Sequence, residues 1–235
     1  MKRISVVYSY QPNDQLLCTA DELIHYGMEV VVVDDGSGEA YDNLFTKLQD
    51  HGAEVIRLPL FRGKAAALKE GICFVLEREN DECTLVTLDG NQANETRDIF
   101  RVCIEAELHP EAIALGCHSL EKEARFVSRM GHALTRLVYR LCSGIAVMDI
   151  QPALCAFSAQ TATSIVSLDD AQSEYERNVL MAAARQRIPL HQLSIEADNS
   201  ARDDGQRRVT LSGYVQIMKQ ILMQRSQLRL GKTAT

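Results

Sequence analysis

The chain has 235 residues, of which 46% are hydrophobic and 24% charged, and its formal net charge is −7. A chain of this length buries roughly 70–75% of the surface that its unfolded form exposes, so a substantial core is available. The negative charge argues against a protein that coats nucleic acid by bulk electrostatics, and no apolar stretch approaches the ~20 residues of a transmembrane helix.

Short β-branched runs alternate with amphipathic segments in the first half of the chain. We predict strands at residues 3–8, 29–35, 54–59 and 83–89, and helices at 13–27, 37–52 and 64–77. Asn13 is a suitable N-cap for the first helix, and Gly27 is a suitable residue for its end. Strands separated by helices imply right-handed crossovers and a mainly parallel sheet with both faces covered.

The second half of the chain is less regular. The predicted elements are a helix at 95–108, a strand at 112–117, a long helix at about 125–141, short strands at 145–149 and 154–157, a helix at 174–185 and a strand at 189–196. A polar loop then leads to a last helix at about 209–225.

The chain contains no internal repeat and no linker, which favours one α/β domain with two functional halves. We expect the halves at about residues 1–92 and 93–200, followed by a loop and C-terminal helix at 201–235.

The seven cysteines form no Cys-x-x-Cys pair and do not cluster with histidine. An odd number of evenly spread cysteines is typical of buried free thiols in a reducing cytoplasm rather than of a disulfide or zinc framework. Asn13 and Asp14 interrupt the first apolar run, so we expect no targeting segment.

Two carboxylates, Asp34 and Asp35, follow the second predicted strand in "DDGSG". In open α/β sheets, ligands bind beyond the carboxyl ends of the strands, so residues at these positions are candidates for a site. A helix N-cap by Ser37 with solvated acids is the alternative interpretation. The first strand is followed by no G-x-G-x-x-G, which argues against a dinucleotide-binding Rossmann domain.

Two further candidate positions follow the third and fourth strands. Arg62 and Lys64 flank a glycine at a predicted helix start, a region suited to anion binding. Asp89 ends the fourth strand, with Asn91 and Gln92 close behind. Mg²⁺ takes one or two carboxylates together with phosphate and water oxygens, so these residues are candidate metal ligands. An ordinary strand-to-loop turn is the alternative.

The long predicted helix has two contrasting faces at 100° per residue. The cationic face carries Arg125, Arg129, His132, Arg136 and Arg140. The apolar face, which we expect to be core, carries Phe126, Val127, Met130, Leu134, Leu137, Val138 and Leu141. The cationic face is either a solvated surface or a track for a phosphorylated acceptor or an anionic membrane surface.

Five segments in order resemble the family 2 glycosyltransferases, in particular their dolichol-phosphate mannose synthase-like branch with a GT-A fold. The resemblance covers about residues 4 to 197 and rests on "VVVDDGS", "RGKAAALKEG", "TLDGNQ", "SRMGHALTRLVYRLCSGIAVMDIQPALCAFS" and "SEYERNVLMAAARQRIPL". It implies a GT-A-type, Rossmann-like sheet and transfer of a sugar from a UDP- or GDP-linked donor. It also implies Mg²⁺ or Mn²⁺ on the diphosphate.

The resemblance assigns roles by position. Donor-binding residues would be Asp34, Asp35, Arg62, Lys64 and Asp89, and the metal would be held by Asp89 with Asn91 and Gln92. Asp149 matches an acidic segment beside the donor sugar, and Asp149 and Glu176 are the candidates for a catalytic base. The acceptor or its phosphate would meet Arg125, Arg129, His132, Gln151 and Glu174.

The chain departs from the family pattern at several positions. The Asp-x-Asp of the metal motif is Asp89-Gly90-Asn91 in one register, and in another Thr87 replaces the first acid, so one carboxylate is absent either way. Phe61 stands where the family usually has Asn before R-G-K, and Ser9 replaces an early proline. The alternative to an active enzyme is therefore a catalytically impaired relative that binds a nucleotide sugar, a lipid phosphate or a partner enzyme.

The acceptor implied by the resemblance is a polyprenyl phosphate or another lipid-linked molecule, used in cell-envelope polysaccharide or glycolipid synthesis. Many relatives with such acceptors carry transmembrane helices, and this sequence contains no such segment. We expect a cytoplasmic protein with peripheral contact at the inner face of the membrane. The sequence indicates no oligomeric state.

Overall fold

A computed structural model describes residues 1–79, 83–92, 94–118, 126–166, 175–195 and 219. The strands are β1 (Lys2–Ser9), β2 (Glu29–Asp34), β3 (Glu54–Arg57), β4 (Cys83–Asp89), β5 (Ile113–His118), β6 (Leu154–Ser158) and β7 (Leu190–Ile195). The helices are α1 (Gln15–His25), α2 (Asp42–Asp50), α3 (Lys64–Arg78), α4 (Thr96–Leu108), α5 (Phe126–Ser143), α6 (Ala159–Val166) and α7 (Tyr175–Gln186). A short 3₁₀ helix, Glu39–Tyr41, precedes α2.

The seven strands form one sheet in the order β3-β2-β1-β4-β6-β5-β7. All neighbouring strands pair in parallel except β6, which is antiparallel to both β4 and β5. The predicted single α/β domain with a mainly parallel sheet is therefore confirmed.

Helices cover both faces of the sheet. One apolar cluster contains residues of α3, α6 and α7, and the other contains residues of α1, α2 and α4. The central strands are buried on both faces, which explains their continuous β-branched runs.

Some predicted details of the elements differ from the structure. Residues 145–149 form no strand, and α6 was not predicted. The helix predicted at 37–52 is present but shorter: the 3₁₀ turn Glu39–Tyr41 leads directly into α2, Asp42–Asp50. The alternative role of Ser37 as an N-cap is wrong, because its Oγ accepts a hydrogen bond from the Gln11 N–H at 2.8 Å. Of the predicted helix at 209–225, only Lys219 is described, and it is helical.

The expected faces of α5 are also corrected. Its buried side carries Gly131, Thr135 and Tyr139, and the Tyr139 hydroxyl donates to the Leu180 carbonyl of α7 at 2.8 Å. Four of the apolar residues assigned to the core are instead largely exposed: Met130 by 57%, Leu134 by 49%, Leu137 by 50% and Leu141 by 70%. Val138 is partly buried and packs against the core as predicted. The Tyr139 hydroxyl thus joins α5 to α7, and the leucines of α5 lie on its exposed side. The side chains of Phe126 and Val127 lie outside the description.

All seven cysteines are free, as predicted. The expected burial is confirmed for four of them, which lie in strands or in α4: Cys83, Cys103, Cys117 and Cys155. It is wrong for Cys18, which is exposed, and holds only in part for Cys73 and Cys142. No helix in the described part of the chain is both long and apolar enough to cross a membrane.

Gly36 holds two loops at the carboxyl edge of the sheet in close contact. Its φ is +75°, and an added Cβ would lie 2.6 Å from both the Leu60 carbonyl carbon and the Phe61 nitrogen. Because both atoms belong to the backbone, no side-chain rotation relieves this contact. Glycine is therefore required at this position by conformation and by space.

We predict that Gly36→Ala lowers the free energy of unfolding by about 2–4 kcal/mol, measured by urea denaturation. Gly27→Ala is the matched control because Gly27 has a φ of +83° with nothing within 4 Å of an added Cβ. It should cost only the strain of the left-handed conformation, about 1–2 kcal/mol. Equal losses in the two variants would contradict the packing argument.

Candidate active site

The carboxyl ends of the central strands bring the predicted acids to one edge of the sheet. Asp34 of β2 lies in register with Ser9 of β1, and Asp89 of β4 lies in register with Tyr8. Since β6 is antiparallel, its start lies at this same edge, with Cys155 paired to Thr87. The residues just before β6 therefore join those that follow β1, β2 and β4.

The carboxylates of Asp34 and Asp35 organise the loops of this edge. Asp34 accepts hydrogen bonds from the Ser37 N–H at 2.9 Å and from the Arg57 Nε at 3.0 Å. Asp35 accepts from the Arg62 N–H at 2.7 Å and the Gly63 N–H at 2.8 Å, directly before α3. The alternative of solvated acids is wrong, because both side chains are buried.

Lys64, the first residue of α3, links two acids from distant elements. Its Nζ lies 2.6 Å from the Glu176 Oε1, at the start of α7, and 3.4 Å from the Asp89 Oδ2, at the end of β4. All three side chains are mostly buried, so the attraction is less screened than on an open surface. Three predicted site residues are thus in contact.

The charges of this cluster shift the pKa of two neighbouring groups. Burial alone would lower the pKa of Lys64, but Glu176 and Asp89 outweigh it and the pKa is raised above 10.5. The pKa of Tyr8 is also raised, by burial and by the nearby charges of Asp35 and Asp89. Lys64 is therefore a permanent cation and Tyr8 a neutral phenol at neutral pH.

The loop after β4 offers only oxygen ligands to a metal. One oxygen of Asp89 accepts a hydrogen bond from the Asn91 N–H at 3.0 Å. The Asn91 Nδ2 donates to the Tyr10 carbonyl at 2.8 Å, which leaves its amide oxygen as the group for a cation. Gln92 is exposed. One carboxylate and amide oxygens fit Mg²⁺ or Mn²⁺ when a ligand's phosphate oxygens complete the shell.

A narrow cleft adjoins the Lys64 cluster. It is lined by Lys64, Leu68, Thr87, Leu88, Pro152, Ala153, Cys155, Tyr175 and Glu176. Burial raises the pKa of the Cys155 thiol and of the Tyr175 hydroxyl well above their usual values, so both line the cleft as neutral groups. An open depression of about 730 Å³ between α1 and α4 contains none of the residues predicted for the site.

Sequence reasoning missed Tyr8, Tyr10 and Arg57 at this edge, whereas it had noted Phe61 before R-G-K. Tyr10 and Phe61 form an aromatic pair with ring centroids 4.7 Å apart, and Phe61 is 58% exposed. Arg57 holds Asp34 in place, and Tyr8 lies between two of the acids. Their positions at or next to the ends of strands could have indicated, from the sequence, that they border the site.

The other predicted site residues are placed less closely. Gln151 and Asp149 lie in the segment before β6, where the Gln151 N–H donates to the Asp149 Oδ1 at 3.0 Å. The Arg62 guanidinium lies beside Glu70 on α3, at 3.7 Å. Arg129 and His132 are on α5, but their side chains lie outside the description, as do Arg125 and Glu174 altogether.

This sheet, with its acids and lysine gathered at the carboxyl edge, defines an α/β protein of the GT-A type. Residues 7–114, a little under half of the chain, match the family model described as Glycosyl transferase family 2. The resemblance to family 2 is therefore supported over these residues, while the dolichol-phosphate mannose synthase-like branch stays a prediction. Among curated proteins, none has a sequence that matches the chain.

Solved glycosyltransferases share the fold at low sequence identity. Glucosyl-3-phosphoglycerate synthase from Mycobacterium tuberculosis, in complex with phosphoglyceric acid, is 15% identical with a TM-score of 0.64, covering 97% of this chain and 79% of its own. A mannosyltransferase from Pyrobaculum calidifontis, in complex with GDP-Man and Mn²⁺, is 14% identical with a TM-score of 0.61. That match covers 97% of this chain and 64% of the mannosyltransferase.

A solved structure with another named activity is also similar. It is a 4-diphosphocytidyl-2C-methyl-D-erythritol synthase, 14% identical with a TM-score of 0.54, and the match covers 94% of this chain and 98% of that one. The fold alone therefore does not select the transferred group.

We predict that a double-mutant cycle on Lys64→Met and Glu176→Gln gives a coupling of about 1–3 kcal/mol in urea unfolding. The matched control is the cycle on Lys2→Met and Glu29→Gln, an exposed pair at 2.8 Å, which should give a smaller coupling because water screens it. A Lys64 coupling no larger than the control would contradict a desolvated contact.

The coupling also has a predicted pH dependence. A lysine whose folded pKa is raised contributes stability that is fully present below its unfolded pKa of 10.5 and is lost as pH rises through the folded value. The coupling energy should therefore be the same at about pH 7 and pH 9, because the Lys64 ammonium is charged in the folded and in the unfolded chain at both values. A fall within that range would place the pKa of Lys64 below its ordinary value.

Proposed function

We propose that the chain transfers a sugar from a nucleotide-diphosphate sugar to an acceptor, with Mg²⁺ or Mn²⁺ as cofactor. The observation that carries the proposal is the contact of Lys64 with Asp89 and Glu176 at the carboxyl edge of a GT-A-type sheet. This contact joins β4, which ends at Asp89, α3, which begins at Lys64 of R-G-K, and α7, which carries Glu176 in its first turn. The family 2 match over residues 7–114 supports it.

The donor base would bind between the loops held by Asp34 and Asp35. The exposed ring of Phe61, packed against Tyr10, offers an aromatic surface at these loops. A flat π-face binds a nucleobase by stacking and does not select it by hydrogen bonds. This arrangement supports a UDP- or GDP-linked donor and leaves the choice of base to the surrounding backbone.

The diphosphate of the donor would lie at Lys64 and Asp89. A cation held by the oxygens of Asp89 and Asn91, with Gln92 beside them, would supply positive charge to the departing nucleoside diphosphate. The Lys64 ammonium stabilises the same developing charge, and its position is fixed before the donor binds. Arg62 would add charge at the rim of this site.

The acceptor would enter from the side of residues 93–200. Asp149 and Glu176 are the proposed bases for a hydroxyl acceptor, and a phosphate acceptor, being already ionised, needs little base catalysis. Gln151 and Glu174 would position the acceptor, and Arg125, Arg129 and His132 would bind its phosphate.

A lipid-linked acceptor such as a polyprenyl phosphate is supported by the surface of α5. Met130, Leu134, Leu137 and Leu141 form an exposed apolar stripe, and such a stripe on a helix with a cationic face suits an interfacial membrane contact. We therefore propose a cytoplasmic protein that contacts the inner face of the membrane.

The alternative is a catalytically impaired relative that binds a nucleotide sugar or a partner. The observation in its favour is that Asp89, the single carboxylate of the metal motif, already contacts both the Asn91 N–H and the Lys64 ammonium. A cation at Asp89 must therefore share this carboxylate with Lys64. Binding of a donor without turnover would identify this alternative.

We predict that a UDP- or GDP-sugar raises the melting temperature only with Mn²⁺ or Mg²⁺, because a ligand at 100 times its Kd adds about 2.7 kcal/mol of stability. Asp89→Asn should abolish the metal-dependent part of the shift. Asp50→Asn, which removes the same charge from an exposed position at the end of α2, should retain it. The absence of any metal-dependent shift in the unmodified chain would refute the active-enzyme proposal.

We predict that Glu176→Gln and Asp149→Asn each lower kcat by about 10²-fold or more with a hydroxyl acceptor, since base catalysis contributes 10²–10⁴.

Transfer of labelled sugar is measured in two fractions, an organic phase for polyprenyl phosphate and an aqueous phase for a soluble phosphorylated acid. Asp50→Asn serves again as the control. Transfer to the soluble acceptor alone would contradict the lipid acceptor while leaving sugar transfer intact.

A further inference from the structure

A second cluster of ligating side chains lies far from the candidate active site. Glu105 lies in the last turn of α4, and His109 directly follows the helix, where its N–H donates to the Glu105 carbonyl at 3.1 Å and holds the two residues close together. His191 is the second residue of β7, the strand at the edge of the sheet, and pairs in register with Ala114 of β5. The last residue of β5, His118, lies at the carboxyl edge of the sheet, four residues and about 13 Å beyond Ala114. The cluster therefore lies at the edge of the sheet opposite the candidate active site.

The three side chains converge. The His191 Nδ1 lies 2.7 Å from the Glu105 Oε1, and the His109 Nε2 lies 3.7 Å from the same oxygen. The two imidazole rings have centroids 4.2 Å apart. One ligand atom from each residue lies within 4.8 Å of the others, and no other group of three such residues does so in the described part of the chain.

We propose that Glu105, His109 and His191 form a binding site for a transition-metal ion of the zinc class. Two imidazoles and a carboxylate are the ligands of three-residue zinc sites, which keep the fourth position for water. Imidazole favours zinc, copper and nickel, whereas Mg²⁺ and Mn²⁺ favour oxygen ligands. This site would therefore select a different ion from the one at Asp89.

The geometry needs only a small adjustment to hold the ion. Bonds of 2.0–2.1 Å in a tetrahedral shell place ligand atoms about 3.3 Å apart. The carboxylate and the two rings must move by fractions of an ångström to about an ångström, and all three side chains are only partly buried. The Glu111 Oε1 lies 3.9 Å from the His109 Nδ1, where a carboxylate orients a ligating imidazole.

The ion would fix the edge of the sheet. Among the described strands β7 pairs only with β5, and a metal held by His191 and Glu105 would join this strand to α4, which covers the sheet. Binding to the folded chain alone raises its stability by mass action. The site therefore stabilises the acceptor half without taking part in sugar transfer.

The test is calorimetric titration of the full chain with Zn²⁺ alone, in a buffer that contains Mg²⁺ to fill weak carboxylate sites. We expect one Zn²⁺ per chain, and a binding constant reduced about 10-fold or more in His109→Gln, in His191→Gln and in Glu105→Gln. Zn²⁺ should raise the melting temperature of the unmodified chain and not that of these variants. Unchanged circular dichroism shows that each variant is folded.

Three controls isolate the site. His51→Gln removes a histidine that also lies 2.7 Å from a carboxylate, that of Asp21, but without a third ligand, and it should bind Zn²⁺ normally. Cys18→Ser removes the exposed thiol and should also bind normally. Asp89→Asn should retain Zn²⁺ binding, which separates this result from the test of the proposed function.

A Co²⁺ titration identifies the ligands directly, because thiolate ligation gives an intense ultraviolet charge-transfer band that nitrogen and oxygen ligands do not give. We expect visible bands without that feature. Three results would overturn the proposal. They are no Zn²⁺ binding by the unmodified chain, binding by His109→Gln and His191→Gln as tight as that of the unmodified chain, or loss of binding in Cys18→Ser.

Discussion

The contact of Lys64 with Glu176 and Asp89 is the interaction on which the candidate site depends. Lys64 is the cation shared by two acids that are mostly withdrawn from water, so its removal would leave both carboxylates without a compensating charge. The contact also fixes three elements relative to one another: the start of α3, the end of β4 and the start of α7. Residues from both predicted halves of the chain, 1–92 and 93–200, meet at this point.

The surrounding loops hold Lys64 in position through backbone hydrogen bonds. Asp35 accepts the N–H groups of Arg62 and Gly63, the two residues before α3, so the direction in which the helix begins is set by a buried carboxylate. Gly36 allows the two loops to touch. The acids of "DDGS" thus shape the site as well as border it, and any contact with a donor would use loops that they have already ordered.

The fold was predictable because its signals are local. The β-branched runs of β1, β2 and β4 and the helices between them specify a parallel sheet, and a parallel sheet collects its strand-end residues at one edge. The faces of α5 were not predictable in the same way. Its leucines suggest a core face, but the structure buries Gly131, Thr135 and Tyr139 instead, since burial depends on the partner surface.

The sequence by itself determined the α/β class and the sheet edge that carries Asp34, Asp35, Lys64 and Asp89. The tertiary structure alone decided the pairings across long stretches of sequence: Lys64 with Glu176, 112 residues apart, and His191 with Glu105, 86 residues apart. Periodicity and spacing report which side of an element faces inward. They do not show which side chain from a distant part of the sequence will contact that side, because such contacts depend on how whole elements pack together.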